Sequence, residues 1–280
     1  VVEALPARLW RLLLARLDLS NHRKIVVVDG VIGYTGSQNL AEASFAAKPA
    51  FSPWVDVMIR LEGPGVYDLE ALFAQDWVME TDADPIALLT PAAAPRPSGS
   101  QVQIAGTGPA GQNEAMRELI LTALHSASEE VIVTTPYFVP DSPTLHALMA
   151  TARCGVSTTL VVPARNDSRW VAAASRCYFE DLMAAGVHIY EYVPGLLHAK
   201  TVSVDRKLAV ISTANMDRRS FDLNFEVSVV VYDTDFASRL RMLQRSYVSQ
   251  SRRVNAELWQ LRPWWRRLSE NAAGLLTPLL

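Results

Sequence analysis

The segment His22-Arg23-Lys24-Ile25-Val26-Val27-Val28-Asp29 recurs in pattern at His198-Ala199-Lys200-Thr201-Val202-Ser203-Val204-Asp205, 176 positions later. Both copies read H-x-K-x4-D, and the match runs on. Gly36-Ser37-Gln38-Asn39 aligns with Ser212-Thr213-Ala214-Asn215, and Phe45 aligns with Phe221, at the same offset. With 5 His, 4 Lys and 15 Asp in the chain, one such match is expected by accident on the order of 0.004 times, far too rarely for two. A chain so built folds as a duplication, each copy supplying one imidazole, one ammonium and one amide.

Strand parity sorts these side chains. Residues two apart share a face, so His22 projects with Lys24, and His198 with Lys200. Asp29 is an odd seven residues from His22 and precedes Gly30, a strong hairpin signal. Ile25–Val28, the Asp29-Gly30 turn and Val31–Tyr34 therefore predict a hairpin. In it Asp29 and Asp205 complete the catalytic motif by holding the turn rather than by touching substrate. The return strand brings Ser37 and Asn39, and in the second copy Thr213 and Asn215, toward the His-Lys face. Hydroxyl and amide donors beside two lysines are expected to cradle phosphate oxygens. A neutral imidazole nucleophile needs an acceptor on its second nitrogen. Asp56 in Trp54-Val55-Asp56-Val57 and Glu226 in Asn224-Phe225-Glu226-Val227 are the candidates, each a lone carboxylate in an apolar strand context. Such a residue is unusual unless paired.

Residues 81–101 hold four prolines and a Ser-Gly-Ser, and read as a linker between two lobes. After it, strands are expected at 102–104, 131–135, 156–162 and 187–192, and helices at 112–129, 145–152 and 169–185, the last ended by Gly186. This alternation predicts an α/β sandwich with mixed, largely parallel sheets. The expected parts are the end of a first lobe (1–80), the linker, a second lobe (102–261) and a basic-aromatic tail (262–280). About 95 residues precede His198 in its lobe but only 21 precede His22. The first lobe is therefore expected to be incomplete, and the chain an N-terminally truncated piece.

Half of the residues are hydrophobic and the net charge is −3, with a pI near 6.0. That is no footprint of a general nucleic-acid binder. Two cysteines in no metal-like spacing suggest a reducing compartment. No apolar run reaches the length needed to span a bilayer, and no signal peptide is visible. Residues 236–280 carry eight Arg against two Glu, and Pro263-Trp264-Trp265-Arg266-Arg267 with 272–280 combines indoles, cations and an apolar end. That suits an anionic membrane surface, or a helix docked on the second lobe.

The doubled motif resembles the phospholipase D superfamily, and the wording around it resembles the bacterial cardiolipin synthases. The carrying segments are 21–24 (NHRK), 35–39 (TGSQN), 54–64 (WVDVMIRLEGP), 135–141 (TPYFVPD), 197–205 and 214–227 (ANMDRRSFDLNFEV), with similarity reaching RPWWRRLSENAAGLLTPLL at the end. The resemblance implies a two-lobe phospholipase D-like fold and transfer of a phosphatidyl group from one phosphatidylglycerol to another, through a phosphatidyl-histidine. His22 is then the nucleophile and His198 the acid/base, although the residues themselves are symmetric and leave the opposite assignment open. Lys24, Lys200, Asn39 and Asn215 would stabilise the transition state, with no metal or cofactor. Tyr137-Phe138 would line the lipid pocket and Arg218-Arg219 meet a second head group. The implied setting is the bacterial inner membrane, and the implied partners are phosphatidylglycerol and an anionic membrane, not nucleic acid. Oligomeric state stays open. Rival readings are a hydrolytic phospholipase D, a nuclease of the same superfamily, which the acidic pI disfavours, and an inactive lipid-binding remnant.

Overall fold

In a computed structural model, residue 2 and residues 19–40, 51–95, 97–109 and 114–275 are described. Phe45 and the last five residues of the tail lie outside them.

A nine-stranded sheet dominates the described residues, eight of its strands coming from the second half and one, Ser20–Asn21, from the first. Its middle strands, Glu130–Thr134, Thr201–Val204, Leu208–Ser212 and Asn224–Tyr232, are buried almost throughout. Strands covered on both faces need apolar side chains in both directions, hence their Val/Ile-rich sequences. The period of two decides the partners. Val131 and Val133 meet Ile120, Leu124, Leu148 and Leu182 from the helices on one face. Ile132 points to the other face, toward Ala237, Leu240 and Tyr247 of the helix Thr234–Ser249.

The sheet is mixed, as expected, but antiparallel pairs outnumber parallel ones. Ser157–Pro163 lies parallel to both Glu130–Thr134 and His188–Tyr192. Thr201–Val204, Leu208–Ser212 and Asn224–Tyr232 run antiparallel in succession, and Gln101–Thr107 pairs antiparallel with the last. The reason is connection length, since tight hairpins can join only antiparallel neighbours. The helix expected over 169–185 is two, Arg169–Cys177 and Phe179–Ala184.

The described part of the first half repeats the second on a smaller scale. Ile25–Val28, Ile32–Gly36 and Met58–Glu62 form a three-stranded antiparallel sheet, followed by the helix Gly65–Val78. The two hairpins coincide at the 176-residue offset (Ile25–Val28 with Thr201–Val204, Ile32–Gly36 with Leu208–Ser212). Each turns through two left-handed residues, Asp29 (φ 53°) and Gly30 (64°), or Asp205 (50°) and Arg206 (58°). Each is closed by a backbone bond, Val31 N to Val28 O or Lys207 N to Val204 O. These are the turns whose twist matches paired strands. Val57, Ile59, Leu61, Val66 and Leu69 pack the small sheet and its helix against the large one. The 81–101 segment is tied down midway, where Thr90 donates through its backbone N (2.7 Å) and hydroxyl (2.9 Å) to the Glu70 carboxylate.

Candidate active site

The halves meet through exchanged strands. Ser20–Asn21, just before the first motif, lies parallel to Asn224–Phe225 of the second half. Leu196–Leu197, just before the second motif, lies parallel to Trp54–Val55 of the first. His22 N donates to Phe225 O (2.9 Å) and His198 N to Val55 O (2.8 Å). The histidine of one copy is thus stitched to the strand that carries the other copy's carboxylate.

The carboxylates are accordingly crossed. His22 Nδ1 lies 3.0 Å from Glu226 Oε1, 204 residues away, and His198 Nδ1 lies 2.6 Å from Asp56 Oδ1, 142 residues away. Sequence placed each carboxylate one element after its own motif; folding delivers each to the other histidine. Burial pushes the Asp56 carboxyl up, but the hydrogen bond and charge of His198, with the Ser37 hydroxyl and Lys200, outweigh it and hold the group below the carboxylate range. Glu226 is likewise raised by burial and brought down below its ordinary value by His22, Thr213 and Asn224. With Nδ1 of each ring engaged, Nε2 is the nitrogen left for chemistry.

Ser37 and Thr213 depart from the expected role. Ser37 Oγ donates to Asp56 (2.7 Å) and accepts from Val57 N (2.9 Å); Thr213 Oγ1 donates to Glu226 (2.5 Å) and accepts from Val227 N (2.9 Å). Both residues are fully buried. Their hydroxyls hold the carboxylates that hold the histidines. Gly36 lets this strand come close: a Cβ there would sit 2.3 Å from Val57 O.

The lysines are buried and paired with their own motif's backbone. Lys24 Nζ donates to His22 O (2.8 Å) and Lys200 Nζ to His198 O (2.7 Å). Burial, then the charge of Lys24, pushes Lys200 down to about 7, and burial also lowers Lys24. His198 is pushed down to about 4 by burial and by Lys200, with Lys24 adding to it. Charges from both copies act on one ring, which puts the two motifs around a common positive centre suited to an anion. Asn215 is buried, and its Oδ1 lacks a hydrogen-bond partner among the described residues. Asn39 is exposed and lines, with His22 and Lys24, an open cavity of about 480 Å³ whose far wall is Phe73 and Trp77.

The motif aspartates sit in the turns. Asp205 accepts from the backbone of Ser128, Glu129 and Glu130 and from the Ser128 hydroxyl, all at 2.8 Å. Asp29 is exposed. Phe138 is fully buried in the core, and the Tyr137 hydroxyl donates to Asp167 (2.7 Å). Five of the eight arginines counted as a basic surplus pair with carboxylates: Arg241 and Arg245 with Glu130, Arg252 with Glu191, Arg262 with Glu270 and Arg267 with Glu180. Sequence reading missed Trp54, whose ring lies 4.8 Å from that of His198, and Arg23 with Asp76, joined at 2.6 Å. The signal for Arg23 was visible, since the position between His and Lys holds arginine in one copy and alanine in the other.

Residues 120–245 match the family model described as "Cardiolipin synthase, PLD-like domain". Over its whole length the chain is 42% identical to cardiolipin synthase A of Pectobacterium carotovorum subsp. carotovorum and 41% identical to that of Serratia proteamaculans, and it spans 58% of the length of each. Among solved structures, the phosphatidylserine synthase of Haemophilus influenzae Rd KW20 aligns with 95% of this chain and 72% of its own, with a TM-score of 0.68 at 14% identity, a likeness of fold. With the doubled motif and this architecture, the chain belongs to the phospholipase D-like family that includes the cardiolipin synthases.

Proposed function

We propose that this chain moves a phosphatidyl group from one phosphatidylglycerol to the hydroxyl of another, releasing glycerol. The observation that carries the reading is the crossed pair of oriented imidazoles around two buried lysines. His22 Nε2 attacks phosphorus while Glu226 holds its Nδ1 proton. The bond from phosphorus to the glycerol oxygen breaks, and His198 protonates that oxygen. The second phosphatidylglycerol then gives its hydroxyl proton to His198 and attacks phosphorus, and the bond to His22 breaks. In the free protein His198 is held neutral; the charge of the arriving phosphodiester favours its protonated form. Lys24 and Lys200, with Asn39 and Asn215, stabilise negative charge on the equatorial oxygens.

The reading includes a working place on the anionic surface of the bacterial inner membrane. Among the described residues no helix is long and apolar enough to cross a membrane. The helix Trp264–Leu275 packs on Arg169–Cys177 through Ala273 and leaves Trp264 (75%), Trp265 and Leu268 exposed beside Arg266 and Arg267. Exposed indoles and guanidiniums crowded into the first turn of this helix suit a lipid headgroup layer. A hydrolytic reading has one observation in its favour: the His22 side chain is 32% exposed, so water reaches the ring.

Thin-layer chromatography of labelled phosphatidylglycerol decides. Cardiolipin with glycerol is expected; phosphatidic acid alone would move the assignment to hydrolysis, and no turnover would overturn it for this chain. The roles of the two histidines separate with a p-nitrophenyl phosphodiester, whose leaving group needs no proton. His198→Ala should keep a burst of nitrophenol and His22→Ala should lose it; the reverse pattern exchanges the roles.

A further inference from the structure

Arg23 lies between His22 and Lys24, so strand parity turns it away from the cleft. Its side chain is 5% exposed and makes three hydrogen bonds to three elements. NH1 donates to Asp76 Oδ1 of the helix Gly65–Val78 (2.6 Å), NH2 to Thr107 O of the strand Gln101–Thr107 (2.9 Å), and Nε to Glu226 O of the strand Asn224–Tyr232 (3.1 Å). Asp76 also accepts from Asn21 Nδ2 (2.9 Å), and Asn21 Oδ1 accepts from Arg23 N (3.1 Å). The guanidinium lies over the Phe225 ring at 5.4 Å.

The last of the three donations bears on chemistry. Glu226 is the residue whose carboxylate holds His22, and Arg23 grips its main chain from behind. The second copy has nothing of the kind, because Ala199 stands at the corresponding position, fully buried in the core. There the ring is fixed by packing: His198 is 7% exposed in its side chain and lies against the Trp54 indole. At 32% exposure, His22 has less packing to hold it, and its orientation depends on where Glu226 sits.

We infer that Arg23, braced by Asp76, is the positioning residue for the His22 imidazole, doing through hydrogen bonds between the halves what burial beneath Trp54 does for His198. Arginine is required because its three nitrogens donate in fixed directions to acceptors on three separate elements, a spread that a lysine ammonium cannot reach. The inference rests on the reading of His22 as a reacting group, but its primary test does not use turnover.

In imidazole-¹⁵N-labelled protein, the Nδ1 protons of His22 and His198 are both expected to be protected from solvent exchange. Arg23→Gln should expose that of His22 and leave that of His198 in place; Arg23→Lys, which keeps the charge facing Asp76, should fail to restore it. Asp76→Asn, which leaves an acceptor for the guanidinium, should give an intermediate result. Where turnover is measured, Arg23→Gln should lower kcat by about 10-fold or more with little change in KM, as expected for a misplaced reacting group. Protection of His22 unchanged in Arg23→Gln, with only the melting temperature lowered, overturns the inference. So does equal loss of protection at both rings. A protein that protects both protons but turns over no lipid would refute the proposed reaction and leave the positioning role standing.

Discussion

In the second half of the molecule, His198 is nearly enclosed beneath Trp54, and Asp205 fastens its hairpin turn to the start of Glu130–Thr134 with four hydrogen bonds. In the first half, the same hairpin has the same turn, yet Asp29 is exposed and His22 opens onto a wide cavity. Beyond the hairpin, what the halves share lies around the histidines: the ring held at Nδ1, the lysine folded back on the histidine's own carbonyl, the hydroxyl behind the carboxylate. What differs is the support. The difference teaches that the geometry at the rings is the common constraint, and that packing in one half and a guanidinium clamp in the other are alternative ways to meet it.

The largest expected effect comes from breaking the crossing itself. Glu226→Gln and Asp56→Asn should each lower kcat by about 10³-fold or more, as for loss of a buried carboxylate orienting a catalytic histidine. Double-mutant cycles should couple Glu226 to His22 and Asp56 to His198. Coupling of Asp56 to His22 instead would break the crossed arrangement.

A second expectation concerns pH. Burial and the neighbouring Lys200 charge push His198 down to about 4 from 6.5. Between those values the unfolded chain binds more protons than the folded one, so this group's contribution lowers stability as pH falls from about 6.5 to about 4. A His198→Gln variant should flatten that part of a melting-temperature profile. Equal slopes in wild type and His198→Gln would show that burial does not depress His198 and would remove the evidence that packing encloses this ring.

The smallest effect separates the motif aspartates. Asp205→Ala removes four hydrogen bonds to a buried carboxylate and should cost about 1–3 kcal/mol in urea unfolding. Asp29→Asn, which suits the left-handed turn position as Asp does, should stay within about 0.5 kcal/mol, as surface changes do. A large loss at Asp29 would mean that its turn is held by contacts like those of Asp205.

Much of the site was legible before any coordinates. Parity put His22 with Lys24 and His198 with Lys200 on one face, and put Asp29 and Asp205 in turns; the hairpins repeat at the 176-residue offset down to their end residues. Parity is local, and a strand residue's face is fixed by its neighbours. The same logic failed at Ser37 and Thr213, because facing the cleft side of a strand does not say which atom a hydroxyl finds there. It found Asp56 and Glu226, carried on strands 19 and 13 residues further along.

The sequence by itself determined that the site is double, which residue types it gathers, and where the hairpins turn, because all three follow from repetition and the period of two. Only the tertiary structure decided which carboxylate serves which histidine, that antiparallel pairs outnumber parallel ones in the sheet, and that Arg23 spans three elements. Those are matters of strand order, and strand order is set by burying the faces of two sheets against each other across more than a hundred residues, a constraint that leaves no local trace in the chain.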